Sequence, residues 1–129
     1  MEPAIHKKVQ LPFEQALEKI ITELKKEGFG VITVIDMKQT LQNKIGVNFR
    51  NYVILGACNP NFAHQALCAE DKAGIFLPCN VVVQQHENGD VEISVVNPEE
   101  MMSHVENPTL SVLARQVKKS LEHVLANME

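Results

Sequence analysis

The stretch Tyr52–Val83, YVILGACNPNFAHQALCAEDKAGIFLPCNVVV, decides the fold. Tyr52 to Ala57 is a near-continuous apolar run, the pattern of a buried central strand. It stops at Cys58-Asn59-Pro60, where Pro60 cannot donate to a ladder and holds Asn59 extended. A helix is expected to start there, capped by Asn59 or, one residue later, by Asn61. Phe62, Ala63, Ala66, Leu67 and Ala69 carry it to about Glu70. Asp71 to Gly74 turns the chain. Ile75 to Leu77 then reads as a strand, interrupted by Pro78 beside Cys79-Asn80 and resumed at Val81 to Gln85. A proline inside a strand pattern implies a bend, a bulge or an edge. The repeated unit is a corner, an apolar strand end where Cys, Asn and Pro meet.

Downstream, HENGD at 86–90 invites a two-residue Asn-Gly hairpin. That register would set Ile93 opposite Gln84 and Ser94 opposite Val83. A three-residue loop, Glu87-Asn88-Gly89, instead sets Val83 opposite Ile93, Val81 opposite Val95 and Gln84 opposite Glu92. Matched apolar faces select register, so the three-residue loop is expected, with Gly89 in the left-handed position. Asn97-Pro98 then caps a short helix expected to reach His104, with Glu99 and Glu100 where the helix dipole favours anions. Asn107-Pro108 repeats the device. Leu110, Leu113, Ala114, Val117, Leu121, Val124, Leu125 and Met128 make one apolar stripe along a long last helix.

Upstream, residues 5–11 place Ile5, Lys7, Val9 and Leu11 on one side and His6, Lys8 and Gln10 on the other. This is a half-exposed strand whose lysines suit a sheet edge. Pro12 is expected to open a helix through Phe13, Ala16, Leu17, Ile20, Ile21 and Leu24, closed by Gly28. A strand follows at 30–35. A short helix at 37–45 is capped by Asp36, carries Met37, Leu41 and Ile45 on one face, and is stopped by Gly46. Hairpin-linked strands and long terminal helices predict an α+β fold. Its mostly antiparallel sheet has about five strands and is backed by two long helices.

A chain of 129 residues, 45% hydrophobic, is one domain, residues 1–129, large enough to bury a core without staples. Its net charge of −4, with lysines only in short pairs, lacks the basic stripe that phosphate backbones need, so no nucleic-acid partner is expected. No apolar run reaches the length of a membrane span, and the N-terminus reads as no signal peptide. Three cysteines without CxxC spacing suggest free thiols in the cytoplasm.

The central stretch resembles the family called domain of unknown function 302. The shared features are YVILGACNP with Cys58, Asn59 and Pro60, AHQAL from Ala63 to Leu67, LPCNVVV with Pro78, Cys79 and Asn80, and NPEEM from Asn97. The resemblance implies a fold like a TATA-binding-protein half-domain, β-α-β4-α, here with short extra helices, and a homodimer. It implies no established activity, and the shared fold does not carry DNA binding across.

The candidate ligand-binding residues are Cys58, Asn59, His64, Cys79 and Asn80. Cys58 sits at a helix N-terminus, where unpaired N–H groups and the dipole favour a thiolate. The favoured reading is a small apolar residue at a strand end. Asn59 and Asn80 are expected to cap backbone at the two corners, or to orient a ligand. His64 and Cys68 share a helix face. Asp36 and Arg50 are a candidate charge pair. No metal is expected, because zinc frameworks place ligands in local pairs. The alternative set is Cys58, His64 and Cys79, with His86 or solvent as fourth ligand. Catalytic residues and cofactor are not legible. The reading is a cytoplasmic, homodimeric small-molecule-binding protein with its site at the two corners. The alternatives are a thiol-based or metal-binding enzyme or redox factor using Cys58 or Cys79, and a homo-oligomeric interaction module with no small-molecule site.

Overall fold

A computed structural model describes residues 2–128. Five strands, β1 (Ala4–Val9), β2 (Gly30–Asp36), β3 (Tyr52–Cys58), β4 (Cys79–Gln85) and β5 (Val91–Val96), form one sheet in the order β1-β5-β4-β3-β2. Every neighbouring pair is antiparallel. The helices are α1 (Phe13–Lys26), α2 (Met37–Ile45), α3 (Pro60–Ala69), α4 (Pro98–Met101) and α5 (Pro108–Ala126). With the three short helices set aside, the order is β-α-β4-α, an α+β fold.

One sheet face is the core. Val53, Leu55 and Ala57 alternate inward on β3, Cys79, Val81 and Val83 on β4, and Val91, Ile93 and Val95 on β5. They meet Phe13, Ala16, Ile20 and Leu24 of α1 and Val117, Leu121, Val124 and Leu125 of α5. Each fully buried Leu or Ile here contributes on the order of 2 kcal/mol. The intervening residues, among them Ile54, Val82, Gln84 and Glu92, are half-buried on the opposite face. The β4–β5 register pairs Val83 with Ile93, Val81 with Val95 and Gln84 with Glu92, as the apolar pattern requires. The turn closes through His86 N–H to Asp90 O at 2.7 Å, and Gly89 takes φ +95°.

β1 lies at one edge, with Lys8 exposed and 3.3 Å from Asp90. Lys7 is not solvated as a surface lysine would be. Its Nζ donates to the Leu125 carbonyl at 3.0 Å, satisfying an end group of α5 where the dipole favours a cation. β2 is the other edge. Its apolar side chains are largely uncovered: Ile32 is 63% exposed and Val34 61%. The stripe of α2 is covered only in part, with Met37 and Leu41 half-buried and Ile45 exposed.

Several expectations need correction. Residues 75–77 are not a strand. Ala73–Phe76 is a 3-10 turn, in which Ile75 N–H donates to Lys72 O and Leu77 N–H to Gly74 O. β3 offers these residues no partner. Its last pair with β4 is Ala57–Cys79, and beyond it β3 leaves the sheet for α3. Pro12 is the N-cap of α1, one residue before the helix. The helix after Asn97 ends at Met101, well short of His104. Asp36 and Arg50 do not pair: Asp36 accepts the Gln39 N–H, while Arg50 donates to Gln84 at 3.0 Å and lies over the Phe49 ring.

Gly56 leaves no room for a side chain. A β-carbon there would collide with Thr33 Oγ1 and lie 2.8 Å from Pro78 Cγ. Gly56→Ala is therefore expected to destabilise the protein by about 1–3 kcal/mol, the usual cost of overpacking. Urea unfolding measures it, and an unchanged midpoint would show that Thr33 and Pro78 give way freely.

Candidate functional site

The site is built where the β3–β4 ladder ends. Past Ala57–Cys79 the two chains separate, β3 into α3 and β4 back through Pro78. Asn59 manages the departure. Its Oδ1 accepts the Asn61 and Phe62 N–H groups at 3.1 and 3.3 Å, and its Nδ2 donates to Glu27 O at the end of α1, at 3.5 Å. Gly28, at φ +84°, makes room for that amide, since a β-carbon would stand 2.9 Å from Asn59 Nδ2. Phe29 then turns inward, with its ring 6.5 Å from that of Phe62.

Helix α5 is longer than the sheet it covers. Its C-terminal half packs on the strands, while Leu110 and Leu113 pack against Ala66 and Ala73 in a second, smaller cluster. Between the two clusters lies a cavity of about 40 Å³. Its walls include Cys58 and Cys79, the rings of Phe29, Phe62 and Phe76, and Met101 and Met102. Ala57, Ala63, Ala66 and Ala114 line it too. Space of this size holds a few water-sized atoms.

Cys58 is half-buried and Cys79 is 8% exposed, and the strand register places them one residue apart across the ladder. Burial, and secondarily the neighbouring Cys58, push the Cys79 thiol up from 9.0 to about 11, so it is protonated at neutral pH. At the start of α3, Pro60 has no N–H, Asn59 takes the next two, and Ala63 N–H bonds to Asn59 O. None of these groups is left for the Cys58 sulfur.

The other sequence candidates fall elsewhere. Asn80 is exposed, opposite Gly56 in the ladder, and caps nothing among the described hydrogen bonds. Side chains alternate along a strand, so a residue next to inward-facing Cys79 must face away. His64 and Cys68 do meet, Nε2 to Sγ at 3.5 Å, but on the exposed side of α3. His86 pairs with Glu92 at 2.9 Å at the opposite end of β4, roughly 20 Å from Cys79 at strand rise. Among the described residues, no three His, Cys, Asp or Glu side chains group to hold a metal ion. Phe29, Phe76, Met101, Met102 and the first half of α5 were not singled out from the sequence. Their one signal, small or flexible apolar residues interrupting aliphatic stripes, is shared by ordinary cores.

A buried thiol with a raised pKa ties stability to pH. The unfolded chain loses the proton near pH 9 and the folded chain near 11. The contribution is therefore full below pH 9 and is lost as pH climbs to 11, by about 2–3 kcal/mol in all. The stability difference between wild type and Cys79→Ala, followed by urea unfolding from pH 8 to 11.5, should shrink by that amount. A difference constant with pH would refute the assignment.

Comparison with known proteins agrees with this architecture. The model of a domain of unknown function, DUF302, matches residues 5–128. No curated protein matches the chain. Among solved structures, the crystal structure of an uncharacterized conserved DUF302 protein from Bacillus stearothermophilus is similar with a TM-score of 0.92. The two sequences are 32% identical, and 100% of each chain is covered. Both Cys-Asn corners lie within the matched span, and the chain belongs to the DUF302 family.

Proposed function

We propose that this protein binds a small ligand in the cavity at the Cys58-Asn59 and Cys79 corner, and that it does so as a cytoplasmic homodimer. The cavity itself carries the reading. It combines an apolar wall, a half-buried thiol at its edge and flexible methionines that adapt to an occupant. The thiol-enzyme alternative rests on Cys58 alone, because Cys79 is held protonated. A reducing compartment suits three unpaired cysteines, and no helix among the described residues is long and apolar enough to cross a membrane.

The dimer reading is supported by β2. Its free edge exposes Ile32, Val34 and Ile35, with Ile45 and Val47 beside it, and it has no lysine of the kind that guards β1. An edge strand paired antiparallel with its own copy makes an isologous contact.

Two measurements test these readings separately. Ala63→Phe fills the cavity wall and should abolish binding of an environment-sensitive apolar dye at the wild-type site, while leaving the fold intact by circular dichroism. Dye binding unaffected by this change would overturn the cavity assignment. Sedimentation equilibrium should give twice the 14.4 kDa chain mass for wild type and a single chain for the Ile32→Lys, Val34→Lys double variant. A wild-type monomer at micromolar concentration would remove the dimer.

A further inference from the structure

The sheet face turned away from α1 and α5 carries a fixed cation that the cavity does not involve. Val53 and Leu55 point into the core. Tyr52 and Ile54 therefore point the other way, beside their ladder partners Gln84 and Val82. Arg50 reaches this face from the connector before β3. Its guanidinium carbon stands over the Phe49 ring, 4.4 Å from the centre, and 5.6 Å from the centre of the Tyr52 ring. Its Nε donates to Gln84 Oε1 at 3.0 Å. A guanidinium held against rings and along one edge has little freedom left to lose when it binds something.

Fastening the connector does not require Arg50. Asn51 already does that: its carbonyl accepts the Gln85 N–H at 3.0 Å and its Nδ2 donates to Gln85 Oε1 at 3.1 Å. A guanidinium donates from Nε and from both terminal nitrogens. Among the described residues Arg50 uses only Nε, and it enters no ion pair. The neighbouring carboxylates are engaged elsewhere. Glu92, beside Gln84 across the β4–β5 ladder, is 2.9 Å from His86 Nε2, and Asp90 is 3.3 Å from Lys8 Nζ. With Nε taken, the fork formed by Nη1 and Nη2 is what Arg50 has to offer.

We propose that Arg50 anchors a second binding site, one that takes a monocarboxylate with an apolar tail. Parallel N–H donors in one plane match the paired oxygens of a carboxylate. One fixed cation balances one negative charge. A phosphate dianion calls for more, and the ladder beside Arg50 supplies Tyr52, Gln84 and Glu92, none of them cationic. Lys38, the other cation at the connector, is exposed and bonds Asn51 Oδ1 at 3.4 Å. The Phe49 and Tyr52 rings and, one row along the same face, half-buried Ile54 and Val82 give the tail its apolar surface. The site is separate from the cavity at Cys58 and Cys79, which neither Arg50 nor Phe49, Tyr52 or Gln84 lines.

The test uses hexanoate as the probe, titrated into the full chain and followed by proton–nitrogen NMR, with acetate, inorganic phosphate and hexylamine for comparison. Saturable shifts should centre on Arg50, Tyr52 and Gln84. Acetate, which lacks the tail, should bind about tenfold more weakly. Phosphate and hexylamine should bind no better than acetate. Arg50→Gln should weaken hexanoate binding about tenfold or more, and Arg50→Lys, which keeps the charge without the fork, about threefold or more. Ala63→Phe should leave it unchanged. If Arg50→Gln does not fold, Arg50→Lys still decides. The absence of saturable hexanoate binding, binding indifferent to the Arg50 variants, or its loss with Ala63→Phe would each overturn the site. Phosphate held more tightly than hexanoate would overturn the carboxylate assignment.

Discussion

The β3–β4 ladder ends at Ala57–Cys79, and the space around the site depends on where that ladder stops. Pro78 is next on one strand, and Pro60 stands two residues beyond Cys58, the end of the other. Both strands leave the sheet at that point. Pro78 then lies against Gly56, which has no side chain to hold it off, and Pro60 starts α3 on the other chain. The cavity occupies the space left between the departing chains and the overhanging half of α5. Had the ladder run two residues further, residues 77 and 78 would be strand.

The corner is held by asparagines that each do two jobs. Asn59, Asn97 and Asn107 precede prolines, and each Oδ1 accepts two N–H groups of the helix it starts. Each Nδ2 reaches a distant carbonyl: Glu27 at the end of α1, Glu2 before β1, and Ala69 at the end of α3. Aspartate and serine cap helices as well, but neither an ionised carboxylate nor a hydroxyl engaged in the same cap supplies the NH₂ for the second bond. These contacts tie the starts of α3, α4 and α5 to distant parts of the chain. They also consume the polar capacity of the site. Asn59, placed to orient a ligand, is already saturated, which leaves sulfur and carbon as the chemistry facing the cavity.

The two sheet edges differ for a related reason. β1 pairs with β5 on one side and carries lysines, one exposed and one tied to the end of α5. β2 carries a bulge between Val31 and Thr33, and while Val31 packs against the core, Ile32, Val34 and Ile35 face solvent. Sheet order explains this asymmetry: α1 and α5 cover the middle of the sheet, and five strands extend beyond what two helices shield.

The sequence by itself determined the α+β class, all five helices and the antiparallel β4–β5 register. Caps, prolines and alternating apolar residues act within a few residues of one another, and Val83, Ile93 and Gly89 admit only one satisfactory hairpin. Tertiary structure decided where Ile75–Leu77 and Asn80 would lie, since both depend on which strand neighbours β4 and where that strand stops. It also decided the site. Cys58 and Cys79 were visible as residues. Their shared cavity depends on Phe29, on Met101 and Met102, and on the reach of α5 past the sheet, residues distant in the chain and individually unremarkable. Local patterns specify elements, whereas a cavity is the volume that several elements together fail to fill.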